Sequence, residues 1–140
     1  MMTLTRVATL GRFLKATPIL EEQLFTLPQF QLCWSALSTS EALGKLELMM
    51  PNLLLMADQL PDTTLPEACG VIRAWAPDLT IIVINSGPHQ HYLQEMTEAQ
   101  INHYVPFGEL KTKLPDLITE LCVMGPSFKA QYASRAYFRQ

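Results

Sequence analysis

The spacing of apolar residues changes repeatedly between two patterns along this chain. Thr5-Arg6-Val7-Ala8-Thr9-Leu10 is rich in β-branched and apolar side chains and predicts a short strand, which Gly11 breaks. Thr17-Pro18 has the form of an N-cap followed by proline at the first helical position, and Glu21 and Glu22 lie where the helix dipole favours acids. Leu20, Leu24 and Leu27 follow at helical spacing, and Pro28 is expected to end that helix. Phe30-Gln31-Leu32-Cys33-Trp34 alternates and predicts a second strand. Ser38-Thr39-Ser40-Glu41 is a helix start; Leu43, Leu46 and Met50 are expected on its inner face, with Pro51 as the stop.

Asn52-Leu53-Leu54-Leu55-Met56 is a continuous apolar run between turn formers, which suits a strand buried on both faces of a parallel sheet. After the Pro61-Asp62 loop, Leu65 to Trp75 reads as a helix with Ala68, Ile72 and Trp75 at helical spacing. Pro77-Asp78 marks a turn, and Thr80-Ile81-Ile82-Val83-Ile84 is the clearest strand in the chain. Asn85-Ser86-Gly87-Pro88 reads as a loop, Tyr92 to Ala99 as a helix and Ile101 to Val105 as a short last strand. Lys113 to Val123 reads as a last helix, with Leu114, Leu117, Ile118 and Leu121 inward. Strand and helix thus alternate five times, which predicts an α/β fold with a parallel sheet and helices on both faces.

Composition narrows the class. The chain has 140 residues, 49% of them apolar and 16% charged, which is the make-up of one globular domain. A net charge of −3 argues against a general nucleic-acid binder. Beyond Met124 the tail carries Lys129, Arg135 and Arg139 and no acid, leaving the body with seven bases against thirteen acids. The boundary is expected at Gly125-Pro126, giving a domain over 1–124 and a connecting segment or extra helix over 125–140. Phe128 and Tyr132, four apart, would share a face of a helix capped by Ser127. Such a tail can pack on its own domain, mediate dimerisation or lead into a further domain. Cys33, Cys69 and Cys122 form no C-x-x-C pair and read as buried, reduced thiols of a cytoplasmic protein. No stretch approaches the roughly twenty apolar residues of a membrane span, so no membrane partner is expected.

Pro51-Asn52-Leu53-Leu54-Leu55-Met56-Ala57-Asp58-Gln59-Leu60-Pro61-Asp62 resembles the third strand and following loop of bacterial response-regulator receiver domains. Ile72 to Ile84 resembles the family's third helix and fourth strand. The resemblance extends over about residues 5 to 122 and is nearest to receivers that precede a helix-turn-helix domain of the LuxR or NarL type. It implies the flavodoxin-like (βα)5 receiver fold, a five-stranded parallel sheet of order 2-1-3-4-5.

The scaffold matches better than the chemistry. Working receivers hold Mg²⁺ with carboxylates at the ends of the first and third strands and phosphorylate one of them. The resemblance puts the acidic pair on Gly11 and Arg12, and the phosphorylated Asp, four residues before the loop proline, on Ala57. The hydroxyl residue ending the fourth strand falls on Asn85, and the phosphate-binding Lys near Phe107, with no proline after it. A methyl group accepts no phosphoryl group, and Arg12 repels a divalent cation. Asp58 is the one acid nearby, but strand alternation points it away from Ala57, so it reads as an ordinary loop carboxylate or as an ion-pair partner of Arg12. The implied module is a degenerate, phosphorylation-independent pseudo-receiver. It has no catalytic residues, metal or cofactor, and its partner is a protein or a second copy of itself.

In the family, the fourth helix, fifth strand and fifth helix form the output and dimer face. Tyr92, Met96, Tyr104 and Phe107 are the expected contacts there. DNA would be reached only through a domain absent from this chain. A stand-alone adaptor or sensor that binds a small molecule is the alternative. His89, His91 and His103 read as solvated loop histidines, Asp58 and Asp62 as turn residues, and no Gly-rich phosphate loop or G-x-S-x-G motif is present.

Overall fold

Leu53, Leu54, Leu55, Met56 and Ala57 are each 0–2% exposed, so the third strand is buried on both faces, as its unbroken apolar run requires. The computed structural model describes residues 5–24, 26–85 and 101–124. The strands are β1 (Thr5–Leu10), β2 (Phe30–Ala36), β3 (Leu53–Ala57), β4 (Thr80–Ile84) and β5 (His103–Val105). The helices are α1 (Thr17–Gln23), α2 (Thr39–Leu48), α3 (Leu65–Trp75) and α4 (Leu110–Met124), with 3₁₀ turns at Leu14–Ala16 and Phe107–Glu109. The strands form one parallel sheet in the order β2-β1-β3-β4-β5, the flavodoxin-like arrangement. Among the described residues no helix is long and apolar enough to cross a membrane.

Period-2 alternation sorts the strand side chains into two apolar layers. Ala8, Leu10, Leu54, Met56, Ile81 and Val83 pack with Ala42 and Leu46 of α2 and with Ala68 and Ile72 of α3. Val7, Leu53, Leu55, Ala57, Ile82 and Ile84 pack with Leu20 of α1 and with Leu110 and Leu114 of α4. Each large side chain so buried contributes about 1.5–3 kcal/mol. Register aligns the strand ends: Leu10 lies opposite Met56, Ala57 opposite Ile84, and Ile84 opposite Val105.

Side chains cap two of the helices, at α2 as its start signal predicts. Ser38 Oγ accepts the Glu41 N–H at 3.2 Å, capping α2. Thr64 and Glu67 form a reciprocal capping box on α3. At α1 the structure differs. Thr17 lies inside the helix and Ala16 is the cap residue, without a side-chain bond. The 3₁₀ turn of Leu14–Ala16 runs straight into α1, so no extended residue remains at Thr17 to turn its hydroxyl back. The helix closes at Gln23, before Pro28, leaving Leu27 half-buried beyond it.

Three further expectations shift. Met50 lies outside α2, which ends at Leu48 with Met49 extended, and is exposed. Trp75 ends α3 half-exposed at 52%. In β2, Leu32 pairs with Val7 and Trp34 with Ala8, so Cys33 is an extra residue. This bulge breaks the alternation and puts Cys33 and Trp34 against the same apolar layer. The expected Tyr92–Ala99 helix and the Gly125-Pro126 boundary lie outside the described residues.

The amino ends of β4 and β5 are tied by a buried polar network that apolar patterning does not reveal. Asn102 Oδ1 accepts from the Ile81 N–H at 2.6 Å and from Arg73 Nη2 at 2.8 Å, while Arg73 Nη1 donates to the carbonyls of Leu79 and Pro77. Burial next to this network pushes the Cys69 thiol up to about 12, against a smaller opposing pull from Arg73.

Ile72→Ala, at a fully buried site, is expected to lower the unfolding free energy by about 2–5 kcal/mol. Trp75→Ala is expected to cost about 0.5 kcal/mol or less, because its ring is half in water. Urea unfolding followed by circular dichroism measures both.

Candidate functional site at the carboxyl edge of the sheet

The level strand ends bring Gly11, Asp58, Asn85 and Val105 to one edge, where open parallel sheets bind their ligands. Gly11 follows β1 and donates its N–H to the Ala36 carbonyl at 2.8 Å. Its φ of +103° is a left-handed conformation that only glycine adopts without strain. Space imposes the same choice. A Cβ on Gly11 would stand 2.7 Å from Ala57 Cβ and 3.1 Å from Leu60 Cδ2. Ala57 is 0% exposed, and its methyl group belongs to the apolar layer beneath α1 and α4.

Asp58 is not the solvated loop carboxylate that the sequence suggests. It is 4% exposed and accepts a hydrogen bond from Asn85 Nδ2 at 2.9 Å. Asn85 is 3% exposed, and its backbone N–H donates to the Val105 carbonyl at 3.0 Å. Burial of a carboxylate is tolerated where polar partners meet it, and Asn85 is one such partner. Arg12 is exposed, and among the described residues no ion pair joins it to Asp58. Asp62 bonds at long range. Its two oxygens accept the N–H groups of Thr39 and Ser40 at 3.0 and 3.1 Å, which ties the loop after β3 to the start of α2 and lowers its pKa. Thr39 and Thr63 hydroxyls meet at 2.9 Å beside it.

Phe107 opens the 3₁₀ turn after β5 and is half-buried. The residue that ends β5 and precedes a proline is Val105, which is 0% exposed and pairs with Ile84. The Val105-Pro106 step marks the strand end, two residues before Phe107. Tyr104 lies on β5, half-buried, whereas Tyr92 and Met96 lie outside the described residues. His103 is not in a solvated loop; it opens β5, and burial lowers its pKa while Glu120 pulls the other way. His89 and His91 lie outside the described residues. His103, Tyr104 and Val105 line a groove of about 180 Å³ with Asp116, Leu117 and Glu120 of α4, and Lys113 borders it.

At three positions of this edge no side-chain carboxylate is offered to a divalent cation: Gly11 has no side chain, Arg12 is a cation and Ala57 is a methyl group. Among the described residues no group of three or more His, Cys, Asp or Glu comes together to hold a metal ion.

Solved structures share this architecture. RcsB, a response regulator of Salmonella typhimurium, superposes with a TM-score of 0.72 at 14% identity, over 99% of this chain and 69% of that one. The chain has the receiver fold. A LuxR-family response regulator from an Aurantimonas species follows at 0.68 and 19% identity, covering 93% of this chain and 91% of the other. The response-regulator domain of Thermotoga maritima CheB gives 0.68 and 15% identity, over 90% and 98%. No protein-family model matches the chain, and no curated protein matches it in sequence.

The receiver fold with this edge makes a direct prediction. Gly11→Asp, which puts an acid back after β1, is expected to destabilise the protein by about 1–3 kcal/mol, because it combines left-handed strain with a clash against Ala57. Arg12→Asp, one residue on and exposed, is expected to stay within about 0.5 kcal/mol of the parent. Urea midpoints of the two variants decide between this packing and an open pocket.

Proposed function

We propose that this chain is a receiver-like regulatory module that works without phosphorylation, through contact with a protein partner or a second copy of itself, and not by catalysis. The observation that carries the reading is Ala57, fully buried beside Gly11 at the position where the resemblance expects the phosphorylated aspartate. Arg12, a cation after the first strand, and Val105, an aliphatic residue before the proline after the fifth, support it from two other positions of the same edge. Asp58 is a poor substitute acceptor, since it is buried and already held by Asn85.

The likeness to LuxR-family response regulators supports a signalling role inside the cell. RcsB is described in connection with DNA interaction. For this chain, DNA contact would come through a domain outside it. The contacts are proposed to run over the β5–α4 face, with Tyr104 and Phe107, joined by Tyr92 and Met96 from the segment between β4 and β5. Without a phosphoryl switch, only differential binding by partners can shift the module between states.

Incubation with acetyl phosphate and Mg²⁺, followed by intact-mass and sedimentation-velocity measurements, tests the reading. Unchanged mass and unchanged sedimentation are expected. Gain of one phosphoryl group, retained in Arg12→Ala and lost in Asp58→Asn, would overturn it and make Asp58 the acceptor.

A further inference from the structure

The groove between β5 and α4 carries acid that the domain leaves unmet. Asp116 and Glu120 both line it, one helical turn apart on the same side of α4. Both residues are exposed, and among the described residues no ion pair or hydrogen bond engages either carboxylate. Lys113, at the border, is paired with Glu109 at 2.8 Å, so it does not neutralise them. His103 adds no charge at neutral pH, because burial lowers its pKa from an ordinary value of 6.5, against a smaller opposing pull from Glu120.

The remaining surface is less polar. Half-buried Leu117 lies on α4, and half-buried His103 pairs with Ile82, whose side chain belongs to the layer beneath α1 and α4. The groove has a volume of about 180 Å³. Clefts that take whole small molecules run to roughly 300–1,000 Å³, so this one suits a single side chain. A side chain with an apolar stem and a cationic head matches Leu117 and the two carboxylates together. Of the two such residues, arginine fits better. Its guanidinium has five donors in a planar fork, enough to meet two carboxylates, and it stacks on a neutral ring, whereas an ammonium is a point charge that holds its water more strongly. The chain itself has a net charge of −3, so charge favours a basic segment of a different protein over a second copy.

We propose that the β5–α4 groove receives an arginine side chain from a basic segment of a partner protein, its guanidinium between Asp116 and Glu120 and its stem along Leu117 beside His103. The inference rests on the proposed contact face and names the chemistry that this face recognises.

The test titrates the full 140-residue chain with acetyl-Gly-Arg-Gly-amide and follows its amide NMR spectrum, with the lysine and the uncharged citrulline peptides as comparisons. Saturable shifts are expected at His103, Asp116, Leu117 and Glu120 with the arginine peptide, weaker binding with lysine and none with citrulline. Asp116→Asn and Glu120→Gln are each expected to weaken arginine binding by roughly two- to fivefold, the range of exposed ion pairs, with the Gly11 and Ala57 amides unmoved. Silent groove amides, shifts indifferent to both variants, or equal binding of arginine and lysine would overturn the proposal. Groove shifts that change on dilution of the protein alone would mean that a second copy fills the site, and would overturn it too. None of these outcomes alters the result with acetyl phosphate, so the two readings fail separately.

Discussion

Two-sided burial of β3 is the constraint from which the rest of the architecture follows. No side chain of Leu53–Ala57 has more than 2% of its surface in water, so the strand needs a neighbour on each edge and helices over each face. Parallel pairing with β1 and β4 supplies the edges, and right-handed crossovers put α2 and α3 on one side and α1 and α4 on the other. The same constraint reaches the end of the strand, where Ala57 remains in the apolar layer. A carboxylate at that position would be desolvated unless the loop after β1 moved away from it. Gly11 lies so near Ala57 that a Cβ on it would stand 2.7 Å from Ala57 Cβ. Glycine at one position and alanine at the other form a mutually dependent pair, and changing either alone meets the other.

Polar groups near this edge have local partners that hold the loops. Asp58 is held by Asn85, and Asp62 and Thr63 tie the loop after β3 to the start of α2. Bonds of this kind favour one arrangement of the loop. The groove beside β5 carries polar groups of another kind, the carboxylates of Asp116 and Glu120 on α4.

The order of elements was legible because proline, aspartate and capping residues punctuate nearly every apolar run; the bounds of α3 and β4 emerge unchanged from Leu65–Trp75 and Thr80–Ile84. Three features were not. The start of α1 depends on a 3₁₀ turn that carries no signal beyond Thr17-Pro18. The bulge at Cys33 depends on pairing with β1 and cannot be read from β2 alone. The burial of Asp58 and of Arg73 depends on Asn85 and Asn102, 27 and 29 residues away in sequence, and local pattern is blind to such pairs. At the candidate site, the types of residue at Gly11, Arg12 and Ala57 were readable from the resemblance, whereas the direct packing of Gly11 on Ala57 required the fold.

A titration of the protein with Mg²⁺ and beryllofluoride, an aspartyl-phosphate mimic, followed through its amide NMR spectrum, reads the closed edge most directly. The account predicts no saturable shifts at Gly11, Arg12, Ala57, Asp58 or Asn85. Saturable shifts at these amides would contradict it, because they would require an acid at this edge to be free to bind and the contact between Gly11 and Ala57 to open.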